Sequence, residues 1–166
     1  MMDAIKAIRT KRAVRQFSSK EVSREDILTV LDSARRAQSS KNTQPWQFIV
    51  VQDRTKLKAL SEAGNFAQHL AGATFAVVFV SQDNTPWINF DLGQASAYMQ
   101  LAAWSLGIGS VLANIYRPDD ARKILGIPPE LHCMVAISFG YPAAEPAPAK
   151  HSGRKPLDEL VRWDQW

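Results

Sequence analysis

The sequence lacks the residues and motifs on which several large classes of enzyme depend. With one cysteine in 166 residues, it has no disulfide framework, no thiolate metal cluster and no CxxC pair. It also has no GxSxG nucleophile elbow, no HExxH zinc motif, no P-loop and no GxGxxG after a strand. The three histidines, His69, His132 and His151, show no spacing typical of metal ligands. If the protein is an enzyme, we therefore expect its chemistry to come from a bound cofactor.

Long apolar segments are missing as well. No run of about 18 apolar residues occurs, so we expect no membrane span. Residues 1–12 are amphipathic and charged, and they lack the apolar core of a signal peptide. Cys133 lies in a predicted strand and is interpreted as a buried structural thiol. These features favour a cytoplasmic protein.

The composition indicates a globular protein with a small excess of positive charge. Apolar residues make up 46% and charged residues 22% of the chain, which suits a single domain over residues 1–166. The net charge of +4 would allow nucleic-acid binding, but no polybasic tail or long basic helix face occurs, so we expect no nucleic-acid partner. Two small basic clusters occur instead: Lys11, Arg12 and Arg15, and Lys150, Arg154 and Lys155. If these clusters meet in space, they suit a small phosphate.

Hydrophobic periodicity predicts helices and strands that do not alternate as βαβ units. The predicted helices are Met2–Thr10, 23–37 with Ser23 as its cap, 53–64, Asn89–Leu106, Pro118–Leu125 and a short turn at Leu157–Val161. The predicted strands are Gln47–Val51, Phe75–Val80, Val111–Ala113 and Met134–Phe139. The continuous apolar run of the second strand is typical of a strand buried on both faces. This order predicts an α+β fold with helices around a central sheet of few strands.

An unusually polar octapeptide, SSKNTQPW at 39–46, lies between a predicted helix and a predicted strand. It fits an ordinary turn, because Ser, Asn and Pro favour turns for local reasons. It equally fits a loop that presents donors and acceptors to a planar polar ligand. The glycine turn at 107–110 would let backbone approach such a ligand. Together with the basic clusters, these features suit a phosphorylated planar cofactor.

These segments resemble the nitroreductase family of flavoproteins, in the same order along nearly the whole chain. The sequence KRAVRQF at 11–17 resembles the family element RRSxRxF, and the octapeptide at 39–46 resembles SSxNxQPW. The segments 91–95 and 101–110 resemble the central helix of the family and the glycine turn that follows it. The segments 140–142 and 154–157 resemble its closing strand and its phosphate-binding tail.

The resemblance implies a fold, a cofactor and a reaction. The fold would be an intertwined homodimer of α+β subunits with a central, mostly antiparallel sheet and FMN at the subunit interface. NADH or NADPH would pass a hydride to flavin N5 in a ping-pong reaction. The reduced flavin would then reduce a nitroaromatic, a quinone or a related acceptor, with no side chain needed as a proton donor. The alternative is a protein of the same fold that binds or consumes flavin without general reductase activity.

The resemblance also implies which residues contact FMN. Those expected from one subunit are Lys11, Arg12, Ala13 and Arg15 along the phosphate, ribityl chain and pyrimidine edge, Arg154 at the phosphate, and Asn65 or Gln68 at the pyrimidine edge. Those expected from the partner subunit are Ser39, Ser40 and Asn42. The backbone near Ala113 and Asn114 would face flavin N5.

The sequence departs from the family pattern at two positions of the basic segment. Ala13 stands where serine is usual, and Lys11 replaces an arginine, which puts a point charge where a bidentate fork is common. Both changes predict a lower FMN affinity. The chain also lacks a long insertion over the active site, which predicts an open substrate pocket lined by Trp87, Tyr116 or the aromatic tail at 163–166. Because exposed aromatics are normally covered, we expect that tail to pack on another surface, for example that of a partner subunit.

Overall fold

The computed structural model describes residues 2–145 and 153–166. The helices are α1 (Ala4–Thr10), α2 (Arg24–Arg35), α3 (Arg54–Glu62), α4 (Pro86–Ser105), α5 (Pro118–Leu125) and α6 (Leu157–Leu160). The strands are β1 (Gln47–Val51), β2 (Phe75–Ser81), β3 (Gly109–Asn114) and β4 (His132–Gly140). Two short 3-10 helices, Ser40–Asn42 and Gln68–Leu70, lie in the connections before β1 and β2. No helix among the described residues is long and apolar enough to cross a membrane.

Side-chain caps fix where the helices begin. The Ser23 hydroxyl accepts a hydrogen bond from the Asp26 amide at 3.1 Å, which confirms the predicted cap of α2. Thr85 caps α4 in the same way, and Pro86 follows in the first turn, where its missing N–H costs nothing. The helix predicted from Asn89 therefore begins one turn earlier. At the other end of α2, the predicted extension to residue 37 is wrong, because the helix ends at Arg35.

The four strands form one antiparallel sheet in the order β1-β2-β4-β3. Every residue of β2 is buried, which confirms the prediction of a strand covered on both faces. Helices α2 and α4 pack on one face around Phe75, Phe79 and Phe139. Helices α3 and α5 cover the other face. The predicted α+β class with a mostly antiparallel sheet is confirmed.

The segment after α1 runs beside the edge strand β3. Ala13 forms a parallel bridge with Ser110, and the Val14 amide donates to the Ser110 carbonyl at 3.1 Å. A Cβ on Gly109 would lie 2.6 Å from the Val14 Cβ, so this approach requires glycine. The flexible turn predicted at 107–110 is therefore wrong in its second half. Gly109 and Ser110 already belong to β3, and Gly109 admits a neighbouring side chain where a ligand was expected.

The chain end forms α6 and an extended aromatic tail. Helix α6 ends at Leu160, one residue before the predicted end. Trp163 and Trp166 are almost fully exposed, so neither side chain is covered by the described part of its own chain. Lys150 of the second basic cluster and His151 lie outside the described residues. Packing of the tail on a partner subunit stays a prediction.

Candidate functional site

A buried polar network anchors the start of the basic segment to α4. The Lys11 Nζ donates to the Gln100 Oε1 at 2.7 Å, and the Ser110 hydroxyl lies 3.5 Å from the same oxygen. The Gln100 amide in turn donates to the Ser96 carbonyl and hydroxyl at 3.3 and 3.2 Å. Burial lowers the pKa of Lys11. Lys11 is thus held against the central helix, and its charge lies behind the surface that Arg12 and Arg15 present.

The two arginines of this segment remain available for an anion. The Arg12 guanidinium donates to the carbonyls of Arg9 and Lys11 at 3.1 and 3.0 Å, close to the end of α1. Arg15 is exposed. Among the residues that the structure describes, no carboxylate forms a salt bridge with either guanidinium. Cationic forks without a paired anion are typical of phosphate and carboxylate sites.

The loop between α3 and β2 meets the far end of β3. A Cβ on Gly64 would lie 2.4 Å from the Asn114 carbonyl oxygen, so only glycine allows this contact. The Arg117 amide donates to the Ala63 carbonyl at 3.0 Å and fixes the same junction. The candidate residues Asn65 and Gln68 are thereby brought to the strand end that carries Ala113 and Asn114.

Within this loop the two amide candidates have different surroundings. The side-chain amide of Gln68 donates a hydrogen bond to the backbone carbonyl of Asn65 at 3.0 Å, so one N–H of that side chain is already used within the loop. Both side chains are exposed. Phe66 lies between them in sequence and is 78% exposed. Phe66 was not among the predicted site residues, and its place between turn-forming residues is the sequence feature that marks it.

His69 follows this loop and is buried against the sheet. Its Nδ1 lies 2.8 Å from the Ser138 hydroxyl, which itself donates to the Val111 carbonyl at 3.3 Å. Burial, reinforced by the positive charge of Arg15, lowers the pKa of His69, and a hydrogen bond with the Leu112 backbone partly offsets this. His69 therefore connects the loop to β3 and β4 as a neutral imidazole at neutral pH.

This arrangement predicts a loss of stability in mild acid. Because the pKa of His69 is lower in the folded chain than its ordinary value of 6.5, the unfolded chain binds a proton first as the pH falls. The free energy of unfolding should therefore decrease as the pH falls through 6.5 toward the folded pKa. We expect His69→Asn to flatten this dependence in urea unfolding at a series of pH values from neutral to mildly acidic. An unchanged slope in His69→Asn would contradict the assignment.

The polar octapeptide folds into a tight turn with unusual backbone angles. Lys41, Asn42 and Gln44 have φ values of +52°, +55° and +47°, which are costly for residues with a Cβ. The Ser39 hydroxyl accepts from the Gln44 amide at 2.9 Å, and the Ser40 amide donates to a carboxylate oxygen of Asp91 at 3.0 Å. The segment is therefore a turn, and it exposes polar side chains, while their use in binding a ligand stays a prediction.

The octapeptide and the basic segment lie at opposite edges of the sheet. The octapeptide leads into β1, whereas residues 13 and 14 pair with β3, and the strand order is β1-β2-β4-β3. Three strand spacings separate these edges by about 14 Å. The structure therefore does not bring Ser39, Ser40 and Asn42 together with Arg12 and Arg15 within one chain.

A cavity of about 490 Å³ opens between α4 and the ends of β3 and β4. Its lining includes Leu92, Ser96, Gln100, Leu112, Asn114 and Met134. It is mostly apolar, with the Lys11 network on one wall, and its volume lies in the range typical of ligand sites.

Of the residues predicted to line an open substrate pocket, Trp87 and Tyr116 are exposed. Arg154 is also exposed, and its expected role at a phosphate stays a prediction.

Comparison with known proteins shows the family. The model of the nitroreductase family matches residues 8–65 and 62–141. A protein of Archaeoglobus fulgidus, provisionally named an NADH dehydrogenase/NAD(P)H nitroreductase, is 38% identical over 155 residues, which cover 87% of this chain and 88% of that protein. This chain belongs to the nitroreductase family, as its motifs predicted.

Solved structures agree with that assignment. An FMN-dependent nitroreductase from Clostridium difficile superposes with a TM-score of 0.88 at 28% identity, covering 98% of this chain and 99% of that one. A provisionally named nitroreductase from Desulfovibrio desulfuricans, solved in complex with FMN, superposes with a TM-score of 0.88 at 25% identity, covering 100% and 99% of the two chains. The α+β fold of the subunit that the resemblance predicted is confirmed, and the homodimer stays a prediction.

Proposed function

We propose that this chain acts as a homodimer that reduces nitroaromatics, quinones or related acceptors by a ping-pong mechanism, with residues 1–166 as a single domain. The chain is an FMN-dependent NAD(P)H oxidoreductase of the nitroreductase family. One observation supports the site more than any other. Beside its first residues, the edge of β3 carries two arginines that form no salt bridge with any described carboxylate. At its last residue it forms a glycine-dependent junction with a loop that carries two side-chain amides.

The residues along β3 fit the chemistry of FMN. Arg12 and Arg15, joined by Arg154, would hold the phosphate and the negative end of the ring, since no described carboxylate competes for the first two. Asn65 or Gln68 would hydrogen-bond the pyrimidine edge. The junction at Gly64 brings the loop against the Asn114 carbonyl oxygen, at the strand end where the backbone of Ala113 and Asn114 would face flavin N5.

FMN, when bound, would supply the redox chemistry, which is hydride acceptance from the nicotinamide nucleotide at N5 and electron transfer to the acceptor. The protein contributes position and charge. The guanidinium of Arg12 or Arg15 near the pyrimidine end would stabilise the negative charge that develops there. The ammonium group of Lys11, held by Gln100, would add a second positive charge behind the basic segment. Because both substrates would use one open face, donor and acceptor would bind in turn.

Two features support a homodimer. The expected FMN ligands lie at opposite sheet edges of one chain, so a second chain must supply Ser39, Ser40 and Asn42 if all contact the same cofactor. In addition, Phe90, Gly93 and Ala97 form an exposed face on α4 at helical spacing. A large aromatic next to two small residues allows close packing of a second helix.

The dimer predicts a strong effect of a charge at the centre of this face. Ala97→Arg should raise the dimer dissociation constant roughly 100-fold or more, because an uncompensated buried charge costs about 3–5 kcal/mol. Sedimentation at several concentrations should then show monomers, and the affinity for FMN should decrease as the dimer is lost. Thr55→Arg, on the exposed side of α3, is the matched control and should remain dimeric. A dimer of Ala97→Arg with full FMN content would contradict the proposed interface.

Steady-state kinetics test the proposed reaction. Initial rates with NADH or NADPH varied at several fixed concentrations of a nitroaromatic or quinone should give parallel double-reciprocal lines. Intersecting lines would exclude ping-pong turnover. A protein that binds FMN but oxidises neither nucleotide in the presence of these acceptors would favour the alternative, a flavin-binding or flavin-consuming member of the fold.

A further inference from the structure

Asp91 is a buried carboxylate that no part of the proposed reaction uses. It lies on α4, is 5% exposed, and its Oδ2 accepts the Ser40 amide at 3.0 Å across 51 residues of sequence. Burying a carboxylate is costly unless it is hydrogen-bonded. An apolar residue would pack at such a position at lower cost. The group that Asp91 binds should therefore explain why a carboxylate is present at this position.

What Asp91 holds is the turn at Ser39–Gln44. Three residues of this turn, Lys41, Asn42 and Gln44, have positive φ. This conformation costs about 1–2 kcal/mol for Lys41 and Gln44 and less for Asn42, whose short polar side chain tolerates it. Within the turn, the Asn42 and Thr43 amides donate to the Ser39 and Ser40 carbonyls at 3.0 and 3.1 Å. These local bonds close the turn, but they do not fix its position on the protein. The bond from Ser40 to Asp91 ties it to the central helix.

We propose that Asp91 is a positioning residue for the cofactor site, which it serves by fixing the Ser39–Gln44 turn in the conformation that presents Ser39, Ser40 and Asn42. The expected effect on FMN binding rests on the proposed function, whereas the hydrogen bond between Ser40 and Asp91 does not. A carboxylate suits the task because a charge-assisted hydrogen bond to an amide is stronger than a neutral one. Its location on α4 is also suitable, since α4 carries Gln100 about 14 Å further along and so connects the turn to the Lys11 network.

The test compares the wild type with three variants. Asp91→Ala removes the acceptor, and Asp91→Asn keeps an acceptor oxygen without the charge. Asp83→Asn removes a negative charge from an exposed residue that lines a second cavity, of about 470 Å³, together with Ser40 and Asp91, and it is the matched control. The first readout is hydrogen exchange of the Ser40 amide in the apoprotein, measured by NMR. The second is the dissociation constant for FMN together with kcat at saturating FMN.

We expect Ser40 exchange to accelerate at least tenfold in Asp91→Ala and less in Asp91→Asn, with no change in Asp83→Asn. The FMN dissociation constant should rise in the same order, about tenfold for Asp91→Ala, while kcat at saturating FMN stays within about twofold. Should Asp91→Ala fail to fold, the intermediate exchange and affinity expected for Asp91→Asn decide the question.

Two results would overturn the inference. Unchanged Ser40 exchange in Asp91→Asn and Asp91→Ala would show that the carboxylate does not hold the turn. Faster exchange with an unchanged FMN dissociation constant would show that the turn does not depend on Asp91 for cofactor binding. Failure of the proposed function is distinguishable from both, because a wild type that takes up no FMN would still show whether Asp91 protects the Ser40 amide.

Discussion

Arg15→Ala is expected to raise the dissociation constant for FMN by roughly 10- to 100-fold. The side chain is exposed beside β3, and no described carboxylate competes for its guanidinium. A hydrogen bond to a charged group contributes about 1.5–3 kcal/mol, and its loss gives this range. Quenching of flavin fluorescence during titration of the apoprotein measures the effect. Arg12→Ala should act in the same direction.

The control for these variants is Arg24→Ala, which removes an exposed arginine from the first turn of α2. It should leave the FMN dissociation constant within about twofold of the wild type, as expected for a surface substitution. The comparison separates a specific contact from the general effect of one positive charge. Full FMN affinity in both Arg12→Ala and Arg15→Ala would contradict the assignment of the phosphate site to this segment.

Gly64→Ala is expected to impair both folding and the cofactor site. The added Cβ would lie 2.4 Å from the Asn114 carbonyl oxygen, and a backbone atom cannot move away by changing a rotamer. Overpacking of this kind costs typically about 1–3 kcal/mol. Relief of the clash would separate the 63–68 loop from the end of β3, so FMN affinity and the rate of flavin reduction should both fall.

Urea unfolding and stopped-flow reduction by NADH or NADPH measure the two effects of Gly64→Ala. The control is Gly72→Ala, because a Cβ on Gly72 would meet nothing within 4 Å. It should keep wild-type stability and wild-type reduction rates. If Gly64→Ala lost stability and kept full FMN affinity with an unchanged reduction rate, the junction would be structural and the assignment of the flavin ring to this strand end would be wrong.

Local sequence signals predicted most of the secondary structure. Pro118 marks the start of α5, and Gly107 and Gly126 mark the ends of α4 and α5. The sequence of β2 is so uniformly apolar that its burial could be predicted from composition. The helix α4 was predicted to begin at Asn89, but it begins at Pro86, because proline suits the first turn of a helix. The family motifs then determined the fold class, which periodicity alone left at the level of α+β.

The contacts that organise the site were not predictable in the same way. Lys11 meets Gln100 across 89 residues, and Ser40 meets Asp91 across 51. Such pairs depend on how α4 crosses the sheet, which no local pattern records. Gly64 illustrates the same point, since the sequence indicated only a helix end, whereas the structure shows a close approach to the backbone of β3.

The proposed function is tested most directly by an anaerobic titration of the purified protein, reconstituted with FMN, with NADH and with NADPH. We expect one FMN to bind per chain. The visible flavin absorbance should bleach with at least one nucleotide and return on addition of a quinone or a nitroaromatic. A protein that fails to take up FMN, or whose bound FMN neither nucleotide reduces, would contradict the proposed function.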